Sequence, residues 1–164
     1  MQTKIAQRFP VRGRLRALLR LPIWLYRLRL GWLLGERGLM LTHIGRKSGQ
    51  LRRTVLEVGG YDPTSDTYTI VAGWGERSDW VRNIQQRPDV LVDVGRRRFE
   101  AMAWRLPAAE AEDWFRDFAR RRPFEFRSLV RMATGQPPTG TDDDYRTLAH
   151  TVPVIALRPR QPSS

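Results

Sequence analysis

Short β-favouring runs separated by turn residues set the pattern of the chain after residue 38. Leu39–His43, Arg53–Val58 and Thr67–Ala72 predict three strands. Val90–Val94 and Arg97–Trp104 predict a hairpin folded at Gly95, and Val152–Leu157 a last strand. Between them the spacing changes to the helical one. Ser78 reads as the N-cap of a short helix through Gln86, with Asp79 in its first turn, an apolar side of Trp80, Val81 and Ile84, and Pro88 as the stop. Pro107 opens a helix to about Arg121 with a stripe of Ala111, Trp114, Phe115, Phe118 and Ala119. Phe124–Ala133 reads as a further helix. Gly59–Asp66 reads as a turn-rich link, Gly135–Asp144 as a polar, mobile loop, and the tail from Arg158 as frayed. Strands with inserted helices but no regular βα alternation predict an α+β fold around an antiparallel sheet or small barrel. No G-x-G-x-x-G joins a strand to a helix, which argues against a doubly wound fold.

The first 37 residues follow a different rule. Lys4 and eight arginines (Arg8, Arg12, Arg14, Arg16, Arg20, Arg27, Arg29 and Arg37) face the single acid Glu36, a net +8. On a helical wheel Arg12, Arg16, Arg20 and Arg27 share one side, with Leu18, Leu21, Trp24, Leu25, Leu28 and Trp32 roughly opposite. Pro22 starts a new helix or kinks one. Four arginines between residues 16 and 29 exclude an ordinary membrane span, and no cleavage site of a signal peptide follows. Two readings stay open for this basic amphipathic segment. Its Leu/Trp face packs on the domain, or it lies on an anionic bilayer.

Charge then narrows the chemistry. The whole chain of 164 residues carries +12, which favours anionic partners. There are no cysteines, so disulfides, thiol catalysis and Cys-ligated metals are excluded, and a cytosolic setting is compatible. His43 and His150 are the only histidines, scant material for a metal site or a His-based triad. The acids Glu110, Glu112, Asp113 and Asp117 fall on the polar side of one helix, and Asp142-Asp143-Asp144 reads as solvated. What remains is the turn Ile44-Gly45-Arg46-Lys47-Ser48-Gly49-Gln50 between the first two strands. Two glycines allow backbone amides to converge beside two cations and a hydroxyl, a plausible seat for phosphate. The alternative at this level is an ordinary hairpin loop with solvated charges. Such a site does little acid–base work of its own and suits an enzyme whose cofactor carries the reactivity.

The run Leu41-Thr42-His43-Ile44-Gly45-Arg46-Lys47-Ser48-Gly49-Gln50 resembles the TTxGRKSG signature of the deazaflavin-dependent nitroreductase family. The resemblance continues through Val71-Ala72-Gly73-Trp74-Gly75, Asp79-Trp80-Val81-Arg82-Asn83-Ile84, Arg87-Pro88 and Arg105-Leu106-Pro107, and ends at Val152-Pro153-Val154. It covers roughly residues 38–158. It implies a split β-barrel of the FMN-binding type, often dimeric, that binds the deazaflavin coenzyme F-420. Arg46, Lys47 and Ser48 would then hold the phosphate or tail carboxylates, with Arg52 and Arg53 extending a basic channel. Thr54 and Val55 would offer strand backbone to the ring. Ala72, Gly73 and Trp74 would edge it, and Trp80 and Asn83 would support the pocket. Tyr145 is the one candidate for a substrate-lining tyrosine. No residue is assigned a catalytic proton transfer. The chain departs from the family pattern at Trp74, where many relatives carry lysine, at His43 in place of threonine, and in a longer segment 123–150.

The expected organisation is therefore a basic segment 1–37, a cofactor domain 38–158 and a tail 159–164. The expected activity is hydride transfer from reduced F-420 to a flat hydrophobic acceptor such as a quinone or nitroaromatic. FMN is the alternative cofactor, and a non-catalytic flavin, tetrapyrrole or lipid carrier the alternative function. A homodimer and an anionic membrane surface are the expected partners, in the cytoplasm or on the inner face of the membrane. No nucleic-acid partner is expected, because no recognition motif accompanies the charge.

Overall fold

The computed structural model describes residues 37–160. The expectations for a basic helix within residues 1–36 fall outside them. Six strands form a closed antiparallel barrel in the order β1-β2-β3-β6-β5-β4. They are β1 Gly38–Ile44, β2 Leu51–Asp62, β3 Thr67–Val71, β4 Asp89–Val94, β5 Arg97–Arg105 and β6 Val154–Pro159. Four α-helices decorate it: α1 Asp79–Gln86, α2 Ala108–Arg121, α3 Pro123–Thr134 and α4 Asp142–Thr151. The α+β split-barrel expectation holds.

Alternation along the strands fills the barrel. Leu39 and Leu41 of β1 meet Val92 and Val94 of β4, Ile70 of β3 and Ile155 and Leu157 of β6, all almost fully buried. A second core lies outside the barrel, where Phe115 and Phe118 of α2 pack with Leu129 and Val130 of α3 and Leu148 of α4. The described residues therefore form two apolar centres, and β2 runs past both.

The structure corrects four expectations. Gly59, Gly60, Tyr61 and Asp62 belong to β2 rather than to a link, and only residues 63–66 turn. The register of β2 on β3 shifts between Val58 and Gly60, so Gly59 is a bulge within a strand. A Cβ at Gly59 would lie 2.9 Å from the Trp114 ring, so its hydrogen side chain lets α2 approach the sheet. Second, α4 occupies residues 142–151, where neither helix nor cap was expected. Its first turn holds the three aspartates, favourable at a helix N-terminus. Asp144 is buried rather than solvated. Its carboxylate accepts hydrogen bonds from the Thr139 amide and hydroxyl and from the Gly140 amide, which pins the end of the preceding loop. Third, β6 continues past Leu157, with Arg158 paired to Met102 and the Arg160 amide donating to the Glu100 carbonyl. Fourth, Ser78 occupies the N-cap position of α1 without a side-chain capping bond.

Candidate functional site

The β1–β2 turn is built tightly. The Gly45 amide donates to the Gln50 carbonyl and the Gly49 amide to the Gly45 carbonyl, both at 2.8 Å. Gly49 sits at φ +67°, a conformation strained for any side chain, and a Cβ on Gly45 would lie 2.8 Å from the Ser48 hydroxyl, which would have to move. The Gln50 amide donates to the Ser48 hydroxyl, and the Arg46 amide to Asn83 Oδ1. Four of the loop's amides are thus consumed in holding its own shape. The Lys47 and Ser48 amides have no partner among the described residues and are the ones left for a ligand.

Helix α1 forms the other wall. It buries Val81, Asn83 and Ile84, and Trp80 packs half-buried against the barrel core. Asn83 Oδ1 accepts from both the Arg46 amide (3.0 Å) and Arg46 Nη1 (3.1 Å), while Asn83 Nδ2 lies 3.1 Å from His43 Nδ1. Arg46 Nη1 also reaches Asp79 at 2.9 Å. That bond, with the charges of Arg46, Arg82 and Lys47, holds the Asp79 carboxyl below the ordinary range. Burial, and then the Arg52 charge, pushes the His43 imidazole down.

Between these walls opens a cleft of about 420 Å³, lined by His43, Gly45, Arg46, Lys47, Ser48, Arg52, Arg53, Thr54, Asp79, Trp80 and Asn83. Four cations face one carboxylate there. The arrangement offers two free amides, a hydroxyl and several guanidinium donors, a donor set matched to a phosphate or carboxylate.

A second cavity of about 420 Å³ opens where the outer face of β2 and β3 meets α2 and α3. Its floor is Gly59, Val71 and Gly73, its walls Phe118, Phe124, Leu129 and Met132, and its rim Glu57, Arg122, Glu125 and Ser128. Arg122 Nη1 bonds Glu57 Oε1 at 3.1 Å across that rim. Arg53, Val55, Glu57 and Gly59 alternate onto one face of β2, so cleft and groove lie along the same strand. Arg53 and Glu57 are about 13 Å apart at the usual rise per residue.

Of the residues singled out in the sequence, Arg46, Lys47, Ser48, Arg52, Arg53, Thr54, Trp80 and Asn83 come together in the cleft. Gly73 lines the groove instead. Ala72 is buried, its amide donating to the Pro153 carbonyl. Val55 is half-buried between the two openings. Trp74 is 83% exposed and borders neither. Tyr145 also borders neither. It packs on Phe126 under the Arg116 guanidinium. His43 and Asp79 line the cleft without having been assigned to it, and the groove-lining face of α3 was not singled out. A helix stripe shows which residues are apolar, not which of them stop short of the core.

A family model, F420H2-dependent quinone reductase, matches residues 20–131. No curated protein matches the chain in sequence. Among solved structures, an F420-H2 dependent reductase (FDR-A) superposes with a TM-score of 0.52 at 20% identity, covering 74% of this chain and 94% of its own. A structure described as a domain-swapped dimer gives 0.53 at 18% identity, covering 84% and 99%. HutZ, a heme storage protein from Vibrio cholerae, gives 0.50 at 14% identity, covering 84% and 92%. At these identities the structures show the shared barrel, whereas the family model spans the turn, the cleft and all of the groove's lining but Met132. The chain belongs to the F420H2-dependent quinone reductase family, a family of F-420-dependent oxidoreductases.

Proposed function

We propose that the chain binds reduced F-420 with its anionic end in the β1–β2 cleft and passes a hydride to a flat, hydrophobic quinone seated at the groove. The observation that carries this reading is the cleft itself, with the free Lys47 and Ser48 amides beside Arg46, Lys47, Arg52 and Arg53. These donors fit a phosphate and a string of carboxylates. When bound, F-420 supplies a hydride from C5 of its ring. The chain's own part is placement. Lys47, Arg52 and Arg53 would fix the anionic end, and Trp80 would wall the cleft. A ligand running along β2 over Val55 would reach the groove, whose volume and largely apolar lining suit a quinone ring. Orientation and a positive field would supply most of the rate enhancement.

A nitroaromatic acceptor is compatible with the same groove. FMN carries a phosphate but lacks the carboxylate tail, so it would use fewer of the cations. The family's name favours catalysis over a carrier role. HutZ, whose name gives heme storage, shares the barrel and nothing closer. A homodimer is part of this reading, supported by the dimer among the neighbours. So is a peripheral membrane seat for the basic segment 1–37, where a bilayer-dissolved quinone would be reached. Among the described residues no helix is long and apolar enough to cross a membrane.

The test is a fluorescence titration with F-420 and FMN in turn, followed by turnover of reduced F-420 with menadione. Micromolar or tighter binding of F-420, weaker binding of FMN and catalytic oxidation are expected. Binding without turnover would favour the carrier, and no binding of either would remove the reading. Sedimentation of the full chain with anionic but not neutral vesicles, lost on deleting residues 1–37, checks the membrane seat.

A further inference from the structure

We propose that His43 and Asn83 form a tautomer lock that positions Arg46 and the turn carrying the free amides, so that occupancy of the cleft follows the protonation state of His43. The proposal rests on the cleft being an anion site and adds how that site is held in shape.

The argument begins with donors that have no alternative. The Arg46 amide and guanidinium can only donate, so the Asn83 atom facing both must be the carboxamide oxygen. That fixes the amide, and its Nδ2 then points at His43 Nδ1 at 3.1 Å. An NH2 group can only donate, so Nδ1 must accept. His43 therefore carries its proton on Nε2 and is neutral. All three residues are locked together. His43 is 4% exposed and Asn83 5%, so the contact between them is buried.

Protonating His43 puts a hydrogen on Nδ1. Two donors then face each other across a buried contact, and either the carboxamide turns or the contact opens. If it turns, Oδ1 leaves both Arg46 donors and Nδ2 is aimed at them, which unseats the Arg46 amide and the guanidinium together. The turn that presents the Lys47 and Ser48 amides loses its tie to α1. The charged groups around His43 favour the neutral form from one side. Arg52 stands opposite it on β2 as its register partner, and Arg46 and Lys47 line the same cleft. On the other side His43 also borders a cavity with Asp89 and Glu100 from β4 and β5 and Arg160 beyond β6. Asp79 on α1 remains ionised over the relevant range, since its carboxyl is held low, so it does not titrate with His43.

This makes Asn83 and His43 positioning residues rather than catalytic ones, and the test separates them from structural filler. The first measurement needs no ligand. 15N chemical shifts of the two histidine rings in the full chain at pH 8 should show His43 as the Nε2–H tautomer, and the Nδ1–H tautomer would overturn the proposal. The second is the Kd for F-420 from pH 8 down to the pH at which the same 15N shifts show His43 protonated. Wild type should weaken about tenfold or more as His43 becomes protonated, as expected for losing hydrogen bonds to a charged group. H43Q can accept from Asn83 Nδ2 through its amide oxygen but cannot gain a proton. Whatever its affinity at pH 8, its Kd should stay flat over the same range. N83D keeps the side-chain volume. Its second oxygen faces Nδ1 and should convert His43 to a protonated ring at pH 7, visible in the same spectra. A wild-type Kd that is flat with pH, or H43Q with the wild-type pH profile, would overturn the lock. Absence of F-420 binding at every pH would sink the cofactor reading instead, while the tautomer measurement would still decide this one.

Discussion

The cleft and the groove share one strand and differ in how they are made. The cleft comes from two short sequence segments, His43–Thr54 and Asp79–Asn83, and its lining is polar, cationic and closely hydrogen-bonded. The groove gathers residues from Glu57 to Met132 across two strands and two helices, and apart from the Arg122–Glu57 pair and an Arg121 bond to the Gly59 carbonyl it is held by packing. One region recognises charge through fixed donors, the other recognises shape. This difference suits a ligand with an anionic end and a flat end. It also means that the two regions can be disabled separately.

The largest expected effect is on the cleft. Lys47→Glu with Arg53→Glu replaces two cations with two anions beside the free amides, and F-420 affinity should fall by more than about a hundredfold, given ~1.5–3 kcal/mol for each charge-assisted contact. Fluorescence titration reads it, and the residual binding should lose most of its salt dependence. Thermal stability should barely move, because neither side chain has a hydrogen-bonded partner among the described residues. Loss of folding instead of binding would show that the cleft is structural. The next effect is on the groove. Gly59→Ala drives a methyl to within 2.9 Å of the Trp114 ring and should cost about 1–3 kcal/mol in urea unfolding, as for overpacking elsewhere. An unchanged midpoint would mean that α2 can slide away from β2.

A third variant divides the regions by function. Ser128→Trp on the groove rim should lower kcat/KM for menadione about tenfold, about 1.4 kcal/mol, while leaving the F-420 Kd within about threefold. If cofactor affinity falls equally, groove and cleft are one site, not two.

How far each region could be read in advance follows from its construction along the chain. The turn at the cleft was legible as a candidate because Gly45, Arg46, Lys47, Ser48 and Gly49 are contiguous, although the residues alone left an ordinary hairpin loop open. Asn83 was reached only through resemblance, since nothing local to α1 shows that it faces β1. The groove was not legible. Gly59-Gly60 reads as a turn in any sequence, and only pairing with β3 turns it into a bulge that admits Trp114. Likewise α4 went unread because its apolar residues are few and its aspartates read as a solvated run. The burial of Asp144 depends on Thr139 and Gly140 folding back onto it. Trp74 drew attention for its size, yet it stands in solvent.

The smallest effect concerns the joint between the cleft and the barrel, and its sign can be worked out. His43 has its folded pKa depressed below the unfolded value of 6.5, by burial first and the Arg52 charge second. A group held neutral in the fold binds fewer protons there than in the unfolded chain as pH falls toward and below 6.5. Its contribution to stability is therefore fully present above that pH and is lost as the pH drops through it toward the folded value. Urea midpoints of wild type and H43Q compared at pH 8 and pH 5.5 should show a larger acid loss for wild type. Both proteins share the same carboxylates, including Asp79 and Asp66, whose folded values are also low. Their acid loss cancels in the difference and leaves the imidazole. Equal losses in the two proteins would show that the imidazole is hydrated in the fold, and the cleft would then be anchored to the barrel by Asn83 and Arg46 alone.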